Sequence, residues 1–122
     1  MSKFVPTVVF DFDGVIHSYT SGWKGAMVIP DPPVDGIREA IAEIRAAGYK
    51  VVVVSTRCSS GGLHAVRRYL IENMIVVDEV MAEKPPALVY IDDRAICFDG
   101  NPGTLLNKIR GFKPWYQKEE RT

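Results

Sequence analysis

The sequence predicts an α/β fold built on a central, mainly parallel sheet, and three observations support it. Apolar, β-branched runs of strand length recur at residues 5–10, 50–54 and 87–91. A helical stripe separates the first two. Each run ends in polar residues rather than in a hairpin turn. Strand, helix and strand of these lengths form a βαβ unit, which requires parallel pairing and a right-handed crossover. The polar ends of the runs should therefore emerge along one edge of the sheet.

The first run, with Pro6 near its start, is apolar enough for a strand buried on both faces. It leads into Asp11-Phe12-Asp13-Gly14-Val15. Residues 17–30 hold Tyr19, Trp23 and Lys24 among Ser, Thr and Gly, and a Pro30-Asp31-Pro32-Pro33 stop follows. They read as a loop or small hairpin that can serve as a substrate flap. Val34, Ile37, Ile41 and Ile44 form the stripe of the first helix, with Asp31 or Asp35 as start cap and Gly48 past its end. The second run ends at Ser55-Thr56-Arg57. Ser59 or Ser60 can cap a second helix carrying Leu63, Val66 and Leu70, whose Arg67 and Arg68 make a solvated face. A third short strand falls at residues 75–77 or 79–82. The fourth, residues 87–91, delivers Asp92-Asp93-Arg94, and a fifth is expected at residues 95–98. A last helix spans residues 104–110, Trp115 and Tyr116 pack the tail, and residues 117–122 are expected to fray.

Composition narrows the function classes. A chain of 122 residues reads as one domain, residues 1–122, with no room for a second domain or large lid. Apolar content of 47% and zero net charge are ordinary for a soluble protein, so charge argues against a nucleic-acid or anionic-membrane partner. With no apolar run of membrane-spanning length, the expected location is cytoplasmic. Cys58 and Cys97 form no CxxC pair and are expected to be buried, reduced thiols.

The chemistry lies at the strand ends. Asp11 and Asp13, two apart in an extended chain, can face the same side. Two such acids need a cation or a shared proton, unless they merely close a turn. Open parallel sheets bind ligands beyond the carboxyl ends of their strands, so Asp11, Asp13, Ser55, Asp92 and Asp93 should meet in one crevice. Carboxylates without histidine partners favour a hard cation, most naturally Mg2+, and magnesium recruits phosphate. A carboxylate beside that ion can attack phosphorus, and a neighbouring acid can move the protons.

Asp11-Phe12-Asp13-Gly14-Val15, the strand ending in Ser55, and Tyr90-Ile91-Asp92-Asp93-Arg94-Ala95 resemble the first, second and fourth motifs of the haloacid dehalogenase (HAD) superfamily. The resemblance covers residues 5–109. It implies a three-layer Rossmann-like (HAD-like) fold without a cap domain, because neither gap where the family inserts its caps is long enough for one. By this likeness Asp11 is the nucleophile and a metal ligand, and Asp13 is the general acid/base with its backbone carbonyl on the metal. Ser55 binds the phosphoryl group. Asp93 ligates the metal directly and Asp92 supports it, with a swap of the two left open. Lys84 matches the family's third-motif lysine. Yet a strand running from residue 87 straight away from it, at roughly 3.3 Å per residue, would leave Lys84 about 20 Å from the acids. Arg57 and Arg94 are the alternative cations.

Asp13 favours a phosphatase over the family's dehalogenases, which lack this second acid. The expected function is thus magnesium-dependent hydrolysis of a small phosphorylated substrate, such as a sugar or nucleotide phosphate, through an aspartyl-phosphate. The alternatives are a phosphoacceptor or metal-binding regulatory module without turnover, and a polynucleotide-end phosphatase. Trp23, Trp115 and Tyr116 are each either a pinned aromatic or an anchor for a homo-oligomer.

Overall fold

The structure, a computed structural model, describes residues 5–117. Four strands form one parallel sheet: β1 (Thr7–Asp11), β2 (Lys50–Val54), β3 (Glu79–Met81) and β4 (Val89–Ile91), in the order β3-β2-β1-β4. This is a Rossmann-like α/β arrangement, and no cap domain interrupts it among the described residues. The order follows from handedness. Two successive crossovers in one direction, β1 to β2 to β3, place their helices on the same face if both are right-handed. Accordingly α1 (Ile37–Ala46) contributes Ile41, and α2 (Leu63–Glu72) contributes Val66, Tyr69 and Leu70, to one core with Val8, Phe10, Val51 and Val53. The return from β3 to β4 reverses direction and belongs on the other face, where Met81 and Ala87 pack on Val9, Val52 and Val54.

Register sets the reactive edge. Asp11 pairs with Val54 and Val54 with Met81. Phe10 pairs with Ile91, so Asp92 falls level with Asp11. The strand ends therefore line up as parallel pairing requires.

Several expectations are corrected in detail. The third strand forms at Glu79–Met81 and not at residues 75–77, because Ile75 turns into the helical core. Residues 95–98 join no ladder. The Asp92 carboxylate accepts from the Arg94 N–H at 2.9 Å, an Asx turn that bends the chain out of the sheet and leaves β4 at its edge. Helix α1 starts at Gly36 in a left-handed conformation without a side-chain cap, because Asp31 is used elsewhere. Helix α2 starts from Gly62, since Ser59 and Ser60 lie in a preceding 3-10 turn, Thr56–Ser60. The last helix, α3 (Leu105–Arg110), follows a 3-10 turn at Pro102–Thr104. Both cysteines are free, but Cys97 is exposed and Cys58 only partly buried. Beyond Gln117 the expected fraying falls outside the described residues. No described helix is long and apolar enough to cross a membrane.

One side chain ties the long loop to the sheet. Arg57 is fully buried, not the surface arginine its sequence context implies. Its Nη1 donates to the carbonyls of Gly25, Ala26 and Val28 at 2.8, 3.0 and 3.1 Å. Its Nε and Nη2 donate to the two Asp13 oxygens at 2.9 and 3.1 Å, and Trp23 covers the guanidinium at 4.6 Å. Replacing it takes the charge partner from Asp13 and the donor from three carbonyls. Arg57→Met is therefore expected to lower unfolding free energy by about 3–5 kcal/mol, read from urea denaturation. A loss below about 1 kcal/mol, the scale of an exposed ion pair, would contradict the role of Arg57 as the anchor of residues 25–28.

Candidate active site

At the carboxyl edge a crevice of about 330 Å³ is lined by Asp11, Asp13, Ser55, Lys84, Asp92 and Asp93, with Tyr19, Arg94 and Tyr116 among its walls. Asp11, Asp13, Ser55, Lys84, Asp92, Asp93 and Arg94, all singled out in the sequence, are here, whereas Arg57, the other alternative cation, is buried behind Asp13 and does not line the crevice. Asp11, Asp92 and Asp93 each offer a carboxylate oxygen, and the three oxygens lie within 4.8 Å of one another. Such a set would be repulsive if fully ionised. Burial, then a hydrogen bond shared with Asp93, then the charges of Asp92 and Asp93 push the Asp11 carboxyl up to about 8. The donor set, all hard oxygens carrying excess negative charge, fits magnesium.

Lys84 reaches this cluster. Its Nζ lies 3.1 Å from Asp92 Oδ2 and 5.4 Å from the centre of the Tyr90 ring. The long separation inferred from an extended strand does not arise, for two reasons. Lys84 follows β3 by only three residues and so remains near the carboxyl edge, and β4 has just three residues of its own. The Tyr90 hydroxyl also donates to the Pro85 carbonyl at 2.7 Å, fixing the turn after the lysine. Burial alone would raise Asp92, but the Arg94 N–H and Lys84 outweigh it and hold its carboxyl below the usual value.

Asp13 lines the same crevice, but its carboxyl is bonded into a buried polar chain and is not part of the three-carboxylate cluster. Its Oδ1 is 2.8 Å from His17 Nδ1, and the Arg57 fork engages both oxygens. The Asp31 N–H donates to His17 Nε2 at 3.1 Å, so Nδ1 carries the proton that Asp13 accepts. Phe12 stacks on the imidazole, while Tyr69 and Tyr19 meet it edge-on. Asp31 in turn accepts from the Ser21 N–H at 2.8 Å and hydroxyl at 2.6 Å, and the Tyr69 hydroxyl donates to its carbonyl at 2.9 Å. Burial works against the Asp13 anion, yet the bonds from His17 and Arg57 prevail and hold its carboxyl below the usual range.

Ser55 is buried, and its Oγ accepts from the Arg57 N–H at 3.1 Å, which leaves the hydroxyl proton available to a ligand. Gly14 adopts φ +85°, and a Cβ there would overlap Asp93 Oδ2 and the Tyr116 ring. Glycine at this position lets the acid and the tail close over the first motif.

Tyr19 lies beside the acids, where the expected flap would put it, whereas the contacts of His17 and Tyr116 with the site were not anticipated. His17 carries a faint signal in standing four residues after Asp13, but its burial comes from Phe12 and from Tyr69 on α2. His64 is exposed and takes no part in the site.

No protein-family model and no curated protein matches this sequence. Solved structures share its fold. A chain of the Pnkp1/Rnl/Hen1 complex matches with a TM-score of 0.57 at 19% identity over 90% of this chain. One from the Pnkp1/Rnl/Hen1 RNA repair complex matches with a TM-score of 0.54 at 19% identity over 86% of it. The match spans only 37% and 30% of those longer chains. A structure from Vibrio cholerae matches with a TM-score of 0.50 at 21% identity, covering 74% of this chain and 82% of that one. These likenesses are of fold alone, an α/β arrangement on a parallel sheet.

Proposed function

We propose that this chain is a magnesium-dependent phosphatase that hydrolyses phosphate monoesters through an aspartyl-phosphate at Asp11. The reading rests on one observation, the convergence of Asp11, Asp92 and Asp93 beside Ser55 and Lys84 at the carboxyl edge of a parallel sheet. Asp11 and Asp93 would hold the ion. Asp92 supports them, since Lys84 and the Arg94 N–H engage its oxygens. By resemblance to the family, the Asp13 carbonyl would add a further oxygen. Magnesium, when bound, would offset the negative charge that the phosphate brings to the acids.

Asp11, deprotonated, attacks phosphorus as the ester P–O bond breaks, and Asp13, which must enter this step protonated, gives its proton to the leaving oxygen. Water then attacks the phosphoryl group, the bond from phosphorus to Asp11 breaks, and the Asp13 anion takes the proton of the water, which restores its starting form. Arg57 and His17 fix the direction of the Asp13 carboxyl and favour the anion left after it has donated. The Ser55 hydroxyl and the Lys84 ammonium bind phosphoryl oxygens.

A second reading, a polynucleotide-end phosphatase, is supported by the fold shared with a chain of an RNA repair complex. A regulatory phosphoacceptor lacks comparable support, because Ser55 stands where a middle-strand aspartate would be needed.

Turnover of a panel of sugar, nucleotide and polynucleotide-end phosphates is expected only with magnesium. Asp11→Asn should abolish it. Asp13→Asn should slow it by about 10²–10⁴-fold with the circular-dichroism spectrum unchanged. Comparable activity in either variant would refute the mechanism, and a phosphoprotein stable for hours without ester turnover would favour the regulatory module.

The acid cluster also sets a pH dependence. The Asp11 carboxyl lies above its ordinary value of 3.8, at about 8, so its protonated form stabilises the fold. That contribution is complete below about pH 4 and is lost as pH rises through about 8. Since magnesium takes the place of the proton, the rise in Tm on adding magnesium should be larger at pH 8 than at pH 6. Equal shifts at the two pH values would remove Asp11 from the ligands of the ion.

A further inference from the structure

Beyond the phosphate, the mouth of the crevice is aromatic. Tyr19 and Tyr116 belong to its lining, although 96 intervening residues separate them in the chain. Their rings meet edge to face at 5.8 Å and 87°. Trp115 continues the series, edge-on to Tyr116 at 5.6 Å and 85°. Its Nε1 donates to the Gly14 carbonyl at 2.6 Å, which docks the tail onto the loop that carries Asp11 and Asp13.

Three features indicate that these rings do more than hold the tail in place. The Trp115 indole is 61% exposed although its single polar atom is already satisfied, so what it offers solvent is apolar ring surface. Ring surface of this size, open to solvent and joined edge-on to a ring of the crevice wall, is available for stacking. Tyr19 is held at φ +63°, a left-handed conformation that a bulky side chain adopts only under constraint from its surroundings. Arg94 and Lys84 line the same crevice and supply positive charge beside the rings. Oriented rings next to cations and a phosphate-binding centre form a stacking platform for a flat group attached to a phosphate.

We propose that Tyr19, Trp115 and Tyr116 form a recognition wall for a nucleobase. The site then selects a nucleoside monophosphate group, free or at the end of a polynucleotide, over a base-free sugar phosphate. This inference rests on the phosphomonoesterase reading for its reaction but not for its binding preference.

The test compares kcat/KM for ribose 5-phosphate, adenosine 5′- and 3′-monophosphates, and an oligonucleotide with a terminal phosphate. The protein is wild type, Trp115→Phe and Trp115→Leu. Wild type is expected to prefer the base-bearing esters by about 5- to 150-fold, the range of one base–aromatic stack. Trp115→Phe should keep most of that preference and Trp115→Leu should lose at least about fivefold of it. A further preference for the oligonucleotide over the mononucleotides identifies a polynucleotide end as the source of the group.

Calorimetric binding of adenosine monophosphate and ribose 5-phosphate, with magnesium present, separates the two hypotheses. Tighter binding of the nucleotide without turnover keeps the wall and refutes the phosphatase. Equal turnover of base-bearing and base-free esters, or a preference undiminished in Trp115→Leu, keeps the phosphatase and overturns the wall. Equal or absent binding of both ligands, without turnover, overturns both.

Discussion

The grip of Arg57 on Asp13 is the contact on which the rest of this structure depends. A buried guanidinium is costly unless every donor is used and its charge is met. Here two donors meet the Asp13 carboxylate and a third meets three loop carbonyls. The loop from residue 17 to 33 has little regular structure of its own, so its backbone groups need partners from elsewhere. Arg57 supplies those partners from the end of β2, and His17 and Asp31 complete the chain from within the loop. One network thus orders the loop and orients a residue of the candidate site, which links folding energy to the geometry of that site.

The four acids at the sheet edge are treated in two different ways. Asp13 and Asp92 are compensated by the protein itself, Asp13 by the charge of Arg57 and a hydrogen bond from His17, Asp92 by the charge of Lys84. Asp11 is left against Asp93, and its carboxyl is raised first by burial and then by the neighbouring acids. A purely structural acid pair is expected to be compensated, whereas a pair in a functional site can keep an imbalance for a cation and a ligand to resolve. That imbalance falls on the residue proposed as the nucleophile.

The economy of the fold has a cost at its edge. With no fifth strand among the described residues, β4 is short and exposed, and the link from β3 to β4 must both cover the second face of the sheet and carry a cation to the crevice. Seven residues, 82–88, do both, because β3 and β4 end at the same edge and the lysine side chain spans the remaining distance. The tail adds the last wall, since Trp115 binds the carbonyl of Gly14, a position where any Cβ would collide with Asp93 and Tyr116.

Local pattern by itself determined the parallel α/β fold, the strand ends and the acids at them. Alternation, helical spacing and parallel connection are short-range rules, and they suffice to bring Asp11, Asp13, Ser55, Asp92 and Asp93 to one edge. The motif resemblance added roles to these residues and identified Lys84, although spacing along an extended chain argued against it. Only the tertiary structure decided that Lys84 reaches Asp92, that Arg57 is buried, that His17 stands behind Asp13, and that Tyr19, Trp115 and Tyr116 meet at the mouth. Each of these depends on where a turn or loop returns in space. A buried arginine and a surface arginine read identically in sequence, because the difference lies in partners 29–44 residues away.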